Sequence, residues 1–486
     1  MVDSQSIAKS NDGLSKGSVG LVGLIFQAMG QLSPIGIFGG SILGAMSFAL
    51  GATPLSFVIG LFASLLAGNS VYQYSRKVAS ARGYYGYVGH GLGGIAGGYV
   101  SYMYILYQLA NLVFIIAYYV LTFGITVGFV FNTSIPNYYG YIYAILISAP
   151  AFYVVYRGIK PSYRSQIVSN SIQLIFVVLI SVVVILSVKD NTTMVFTPMA
   201  GIGWKGVLLG FIAGSYLSFA GYGSVVPLGE EAKTPHRSIG LAVLIIILVM
   251  GGIYLLGSYS IIVGLGYTQI GAFNSSPNNI FPGFVVVGHY AGQWANYVFL
   301  ILNFFVVYPL FVTMGTALSR NIYAMSRDGL MKNTFQTVHS KYKSPDKAVK
   351  LTVGLFAILA VVSGFIFLYS AGDFIGGFFN DFLFFAIMST VTTLIIHVLV
   401  NVSLARDYFR AEKGVLRILT DVVLPLLSTA IVFVAIYYAI NGLGAPLSYS
   451  PLIVLFYSVI VVVYLVSARK KFVKINYRSE RIVEFP

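Results

Sequence analysis

The chain has 486 residues, of which 57% are hydrophobic and only 9% charged, with a net charge of +15 and no cysteine. Soluble domains carry about 25% charged residues, so a water-covered globular surface is excluded, and the missing cysteines exclude disulfides, thiol catalysis and thiolate metal sites. The positive charge is no nucleic-acid footprint, because it gathers between apolar blocks and toward the C-terminus, as loops beside a membrane should.

The first 17 residues are polar, and the apolar stretch that follows is too long for a signal-peptide core, so the first helix is expected to stay in the mature protein. Apolar blocks then fall at 18–47, 54–75, 93–127, 137–156, 165–188, 206–228, 238–264, 293–319, 350–369, 375–402, 418–440 and 451–468. Several reach the roughly 20 residues that cross a hydrocarbon core of about 30 Å. Runs of about 10 residues with period 2, the mark of a membrane barrel, are absent. The expected fold class is an all-α integral membrane bundle of twelve transmembrane helices embedded in a lipid bilayer. An even count puts both termini on one side. With that side cytoplasmic, all but two of the 29 lysines and arginines fall in cytoplasmic segments; the exceptions are Lys189 and Lys205. One helix more or fewer would destroy this asymmetry.

Two blocks break the rules of an uninterrupted span. The first contains Gly30-Gln31-Leu32-Ser33-Pro34-Ile35-Gly36, where proline removes a backbone donor and glycine loosens the chain. The sixth runs Gly214-Ser215-Tyr216-Leu217-Ser218-Phe219-Ala220-Gly221-Tyr222-Gly223. A kink, or small residues for close packing, would explain either one alone. Together they open two successive sets of five helices, 18–188 and 206–402. Broken helices at matching positions of an inverted repeat meet at the bilayer midplane and mark a transporter site. Helices 11 and 12 (418–468) are then peripheral, followed by a basic cytoplasmic tail, 469–486.

A break offers free amides from one half-helix and free carbonyls from the other, which favour an anion and a cation respectively. A zwitterionic amino acid satisfies both. Its carboxylate is expected beside Ser33 and the amides of Ile35, Gly36 and Ile37, and its ammonium at the carbonyls of Phe219, Ala220 and Tyr222. No acid or base lies in the first helix, and none is needed.

The exit of the sixth helix reads Ser218-Phe219-Ala220-Gly221-Tyr222-Gly223, then Gly229-Glu230-Glu231-Ala232-Lys233-Thr234-Pro235-His236-Arg237. This resembles the aromatic–x–Gly–aromatic core and Glu-Glu-x-Lys-x-Pro-x-Arg exit of the amino acid–polyamine–organocation (APC) superfamily of permeases. The segment Arg320-Asn321-Ile322-Tyr323-Ala324-Met325-Ser326-Arg327-Asp328-Gly329 looks like the end of their eighth helix, and Ser80-Ala81-Arg82-Gly83-Tyr84-Tyr85-Gly86-Tyr87-Val88 is similar to their first intracellular loop. The likeness covers about residues 15–400. It implies a five-plus-five inverted-repeat fold with broken helices 1 and 6, alternating access, and substrate held by helices 1, 3, 6, 8 and 10. Three departures stand out. Ser33-Pro34-Ile35-Gly36 replaces a Gly-Ser-Gly type sequence, Gly223 replaces an acid, and Gln173 falls nearest to a helix 5 lysine that substitutes for a coupling cation in some members.

Other polar residues in the spans are candidates by residue type. Asn111 in the third helix is suited to a substrate carboxylate or to a helix–helix hydrogen bond. Tyr104 and Tyr107 are candidates for the cavity wall. Thr313 and Thr316 are placed to coordinate sodium or to bond their own helix. Asp381 and His397, in the tenth helix, are functional candidates because ionisable groups in a membrane are expensive. Asp381 would carry a proton, contact a cationic substrate, or sit solvated at the outer mouth. Glu230 and Glu231 are expected to close an inner gate by pairing with Lys233, Arg237 or the Arg76–Arg82 loop. The histidines lack metal-ligand spacing and no phosphate-binding loop occurs, so no metal and no cofactor is expected. The expected function is secondary amino acid transport across the cytoplasmic membrane, coupled to protons, with sodium or exchange as alternatives. A polyamine or organic-cation carrier would need an acid on the pocket, for which only Asp381 qualifies. A membrane enzyme or sensor would need a polar catalytic cluster or an appended soluble domain, and the sequence offers neither.

Overall fold

The structure is a computed structural model describing residues 13–136, 138–275, 281–410, 414–473 and 475. Most of the two expected tails, 1–12 and 476–486, lies outside the described residues. Among them regular structure is helical, apart from an isolated parallel bridge between Val19 and Ala232. In chain order the helices are α1 (Leu21–Leu32), α2 (Gly40–Ala49), α3 (Thr53–Ser75), α4 (Tyr84–Leu92), α5 (Gly94–Phe131), α6 (Tyr139–Tyr156), α7 (Ile159–Ser187), α8 (Gly203–Gly210) and α9 (Tyr216–Ala220). There follow α10 (Pro235–Leu265), α11 (Ile270–Ser275), α12 (Pro282–Ala291), α13 (Gln293–Phe305), α14 (Val307–Arg327), α15 (Asp346–Ala371), α16 (Phe374–Arg410), α17 (Leu424–Asn441), α18 (Tyr449–Ser467) and α19 (Arg469–Val473).

Taken with the segments that continue them, eleven helices among the described residues are long and apolar enough to cross a membrane. The expected span 18–47 is not one of them, because it is divided. Leu21–Ile37 forms a short apolar helix, and α2 follows it and ends before Leu50, whose φ of +52° turns the chain through Leu50–Ala52 into α3. The break has a local cause. Ser33 takes a φ of +54°, which is strained for a residue with a side chain, and Pro34 cannot donate to the turn before it. A 3-10 turn, Pro34–Ile37, then carries the chain to Gly40. The expected break at 214–223 takes a different form. Gly203–Leu228 stays helical but changes pitch, from α8 through a π turn at Phe211–Ser215 and the short α9 to a 3-10 run at Gly221–Leu228. Its glycines serve contact instead of unwinding. A Cβ on Gly214 would lie 2.4 Å from both Ala45 N and Ser41 O, and one on Gly44 would lie 2.4 Å from Ala213 O. The two spans therefore cross backbone to backbone.

Burial separates the centre from the rim. Most of the apolar stretch of Gly203–Leu228 (89%) and of α16 (83%) is buried, against 24% for Leu419–Tyr438 and 33% for α18. The rim helices expose large apolar residues along one stripe, such as Ile172, Ile175 and Leu179 on α7 and Leu455, Val459 and Val463 on α18. Such stripes suit hydrocarbon, which demands apolar side chains and internally bonded backbone.

Candidate functional site

The division between α1 and α2 opens onto a cavity of about 70 Å3 at the middle of the bundle. Leu32, Ser33, Gly36, Gly40 and Ser41 form one wall, and Ala213, Gly214, Leu217 and Ser218 face them. Asn111, Phe114 and Tyr118 of α5, Asn303 of α13, Met314 of α14 and Phe382 of α16 complete it. No Asp, Glu, Lys, Arg or His is on this wall among the described residues.

The backbone at the break is partly self-satisfied. Ser33 N donates to Met29 O at 2.8 Å and Gly36 N donates to Ser33 O at 3.1 Å, while Ser33 Oγ also accepts from Gly36 N at 3.1 Å. Beyond Gly36, the first helical residues on the wall are Gly40 and Ser41, at the start of α2. On the opposite side, the Tyr254 hydroxyl donates to Leu32 O and lies 3.0 Å from Ser218 O, tying the carbonyls of the two spans together. Three buried amide atoms on the wall lack hydrogen-bond partners among the described residues: Asn111 Nδ2, Asn303 Nδ2 and Gln31 Oε1. Buried polar atoms are almost always paired, so these three side chains offer unused hydrogen-bonding capacity to a ligand or to water.

Of the residues expected to bind substrate, Ser33, Gly36 and Asn111 meet at this cavity. Ile35 and Ile37 do not line it. Both are fully buried, with Ile37 wedged against α10 where Gly257 leaves room, because the 3-10 turn points their side chains outward from the break. Phe219, Ala220 and Tyr222 also miss the wall, since the change of pitch brings the residues just before them to the cavity. Ala220 O accepts from the Tyr107 hydroxyl at 3.0 Å, and Tyr222 Oη meets His397 Nε2 at 2.6 Å. Tyr104 and Tyr107 belong to this second layer, where Gln31 Nε2 donates to Tyr107 Oη at 3.1 Å and Gln108 Nε2 to Tyr104 Oη at 2.8 Å. His397 Nδ1 lies 2.8 Å from Thr393 O. A carbonyl only accepts, so Nδ1 carries the proton and Nε2 accepts from Tyr222.

Between α1, α7 and α14 lies a cluster of buried amides. Thr313 Oγ1 donates to Gln27 O at 2.9 Å, and Gln166 Nε2 donates to Pro309 O at 2.8 Å and to Thr313 Oγ1 at 3.0 Å. Asn170 Nδ2 reaches Phe26 O at 3.2 Å. Gln173 instead bonds Ser169 of its own helix at 3.1 Å, so α7 bonds the first helix through Asn170 and α14 through Gln166. Thr316 Oγ1 is buried without a partner among the described residues. Asp381 is 2% exposed with Ser363 Oγ 3.4 Å from its carboxylate. It points to α15, neither solvated nor on the cavity.

Toward the end of the bundle where lysines and arginines gather, ion pairs join the spans. Glu231 is held by Arg320 through bonds of 2.6 and 3.1 Å, both side chains being fully buried. Glu230 pairs with Arg327 at 2.8 Å and accepts from Ala81 N at 3.1 Å. Arg82 grips Asp328 with two bonds, of 2.7 and 3.0 Å. Both glutamates thus pair with arginines of α14 in place of the expected Lys233 or Arg237, because the end of α14 packs on the exit of the Gly203–Leu228 span, while Glu230 also meets the expected Arg76–Arg82 loop through Ala81 N. Sequence reasoning also missed Asn303, Gln166 and Asn170. Asn303 is a lone amide in the apolar run Leu302-Asn303-Phe304, and Gln166 and Asn170 stand four apart on one helix face; both are visible signals of buried polar contacts.

The chain is similar to the branched-chain amino acid permease BcaP of Bacillus subtilis (strain 168), with 26% identity over 70% of this chain and 73% of BcaP. It also resembles the low-affinity putrescine importer PlaP of Escherichia coli (strain K12), at 23% identity over 70% of this chain and 74% of PlaP. The methylthioribose transporter of Bacillus subtilis (strain 168) shares 26% identity over 50% of this chain and 48% of its own length. The model of the amino acid permease family matches residues 23–482. The chain belongs to the amino acid permease family, in the APC superfamily.

Proposed function

We propose that this permease carries neutral amino acids with apolar side chains by alternating access, holding the zwitterion in the cavity between the α1–α2 break and the Gly203–Leu228 span. The observation that carries the reading is a cavity with three unpaired buried amide atoms and no Asp, Glu, Lys, Arg or His on its wall among the described residues. A net charge on the ligand would be left uncompensated there, whereas a zwitterion brings its own balance. Its carboxylate meets the positive end of α2 at Gly40 and Ser41 and the amides of Asn111 and Asn303. Its ammonium meets the carbonyl end of α1 and Gln31 Oε1. Phe114, Ile115, Leu217, Met314 and Phe382 offer an apolar surface to the side chain, in keeping with the branched-chain substrate in the name of BcaP. A polyamine would need carboxylates, and Asp381 faces elsewhere.

The basic end is assigned to the cytoplasm, so the Glu231–Arg320, Glu230–Arg327 and Arg82–Asp328 pairs form the inner gate. Proton coupling or exchange is favoured over sodium, because Gln166 turns amide donors on Thr313 Oγ1 and Pro309 O, where a cation would need bare oxygens. The test is uptake into proteoliposomes. A neutral apolar amino acid should accumulate without sodium under an inward proton gradient. Its methyl ester and N-acetyl derivative should compete poorly, and equal competition by either would overturn zwitterion capture.

A further inference from the structure

At the basic end, away from the transport cavity, Arg406 and Arg410 stand one turn apart on α16, both exposed. Arg410 Nη1 lies 3.4 Å from Gly91 O, and neither arginine is in an ion pair with a described residue. Asp407, next to Arg406, is turned to Lys77, with His90 Nδ1 3.8 Å away. The two arginines border a basin of about 450 Å3 whose other walls are the α4–α5 corner at Gly93 and Gly94 and the end of α19. The corner is open because Gly93 takes a φ of +95°, and α19 lies so close that a Cβ on Gly94 would fall on Phe472 O.

A second hollow, of about 580 Å3, continues from the basin and shares Leu92 and Ile95 with it. Its walls are apolar and come from five helices, with Leu92 ending α4, Tyr99 on α5, Leu399 on α16, Phe433 on α17 and Val462 on α18. One stripe of α16 joins the two halves. Ile395, Leu399, Arg406 and Arg410 recur at helical spacing on one face, and the seven residues from Leu399 to Arg406 span about 10 Å along the axis. A cationic basin at the membrane surface thus runs directly into an apolar furrow descending into the hydrocarbon.

We propose that this two-part hollow is a specific site for an anionic phospholipid. Arg406 and Arg410 hold the phosphate, for which arginine's planar fork is well matched, and one acyl chain lies in the furrow between α5, α16, α17 and α18. Basic pockets between spans at the cytoplasmic surface favour such head groups. The site does not depend on the transport reading. A lipid here would pin the outer pair of helices, α17 and α18, to the ends of α5 and α16, which carry transport-cavity residues.

Native mass spectrometry of the full chain in detergent, offered equal amounts of phosphatidylglycerol and phosphatidylcholine, tests it. The wild-type protein should retain phosphatidylglycerol in preference, and millimolar inorganic phosphate should not displace it. An arginine near an anionic head group contributes about 1 kcal/mol, so Arg406→Gln/Arg410→Gln should weaken retention about thirtyfold. Lys189→Gln/Lys205→Gln, which removes equal charge from the opposite end, should leave it unchanged. Ala96→Trp fills the furrow with both arginines intact and should also release the lipid; melting temperatures taken alongside report whether each variant is folded. Equal retention of phosphatidylcholine, displacement by phosphate, or loss in only one of the arginine and Ala96→Trp variants would overturn the proposal. So would a dimer that Ala96→Trp splits without any lipid bound, since a second copy of the chain would then fill the hollow.

Discussion

Removing either charge of the buried Arg320–Glu231 pair should destabilise the protein more than any other single loss of charge at the basic end. Arg320 and Glu231 are both fully buried and joined by bonds of 2.6 and 3.1 Å, with a third bond of 3.2 Å from Arg320 to Thr316 O. The same stretch anchors the start of the chain, because Glu231 O accepts from Ser18 N and Val19 N at 2.8 and 3.0 Å. Taking one partner from a buried pair leaves an uncompensated charge and costs about 3–5 kcal/mol, whereas replacing both with apolar residues is often neutral or better. Arg320→Met and Glu231→Leu should each lower stability by about that amount, and the double variant should recover most of it. The half-exposed Arg327–Glu230 pair sets the contrast, since exposed pairs contribute about 0–1 kcal/mol and Arg327→Met should stay within that range. Reversible unfolding in mixed micelles, arranged as a double-mutant cycle, measures the coupling. If the double variant loses as much as the two singles added together, the ion pair is not what joins these spans, and the reasoning is refuted.

Gly214→Ala should disrupt the crossing of the two central spans, since its Cβ would fall 2.4 Å from the α2 backbone. Overpacking of this kind costs about 1–3 kcal/mol, while Gly252→Ala, with nothing within 4 Å of the new Cβ, should be neutral in the same melt. Asn111→Leu removes a donor facing the cavity; a hydrogen bond to a charged group is worth about 1.5–3 kcal/mol, so substrate affinity measured by binding titration should fall about 10- to 100-fold. Tyr222→Phe deletes the 2.6 Å contact with His397 and should cost about 1–3 kcal/mol by leaving a buried imidazole nitrogen unpaired; an unchanged melting temperature would show that the contact carries no stability.

The membrane bundle was legible because it rests on length, hydropathy and the placement of charge, all of which a sequence displays directly. The break at Ser33-Pro34 was legible for the same reason, as proline and glycine act locally. The sixth span was harder. Its glycines are the same residues whether they unwind a helix or let another backbone approach, and only Ala45 and Ser41, distant in sequence, decide that Gly214 does the second. This shifts the cavity wall from Phe219, Ala220 and Tyr222 to Ala213, Gly214, Leu217 and Ser218. Gly223 is similar, for it leaves the space that the Tyr84 hydroxyl fills, and a lone glycine in a sequence does not name its neighbour. Partner choice was the least legible. Glu230 and Glu231 stand beside Lys233 and Arg237 in the chain, yet geometry hands them to α14, about ninety residues on.

The account is tested most directly by the melting temperature of the purified permease with three versions of one apolar amino acid. These are the zwitterion, the corresponding amine without its carboxylate, and the carboxylate without its amine. A ligand that binds only the folded state at a hundred times its dissociation constant stabilises by about 2.7 kcal/mol. The zwitterion alone should raise the melting temperature; an equal rise with either half-molecule would contradict capture of both charged ends between the two central spans.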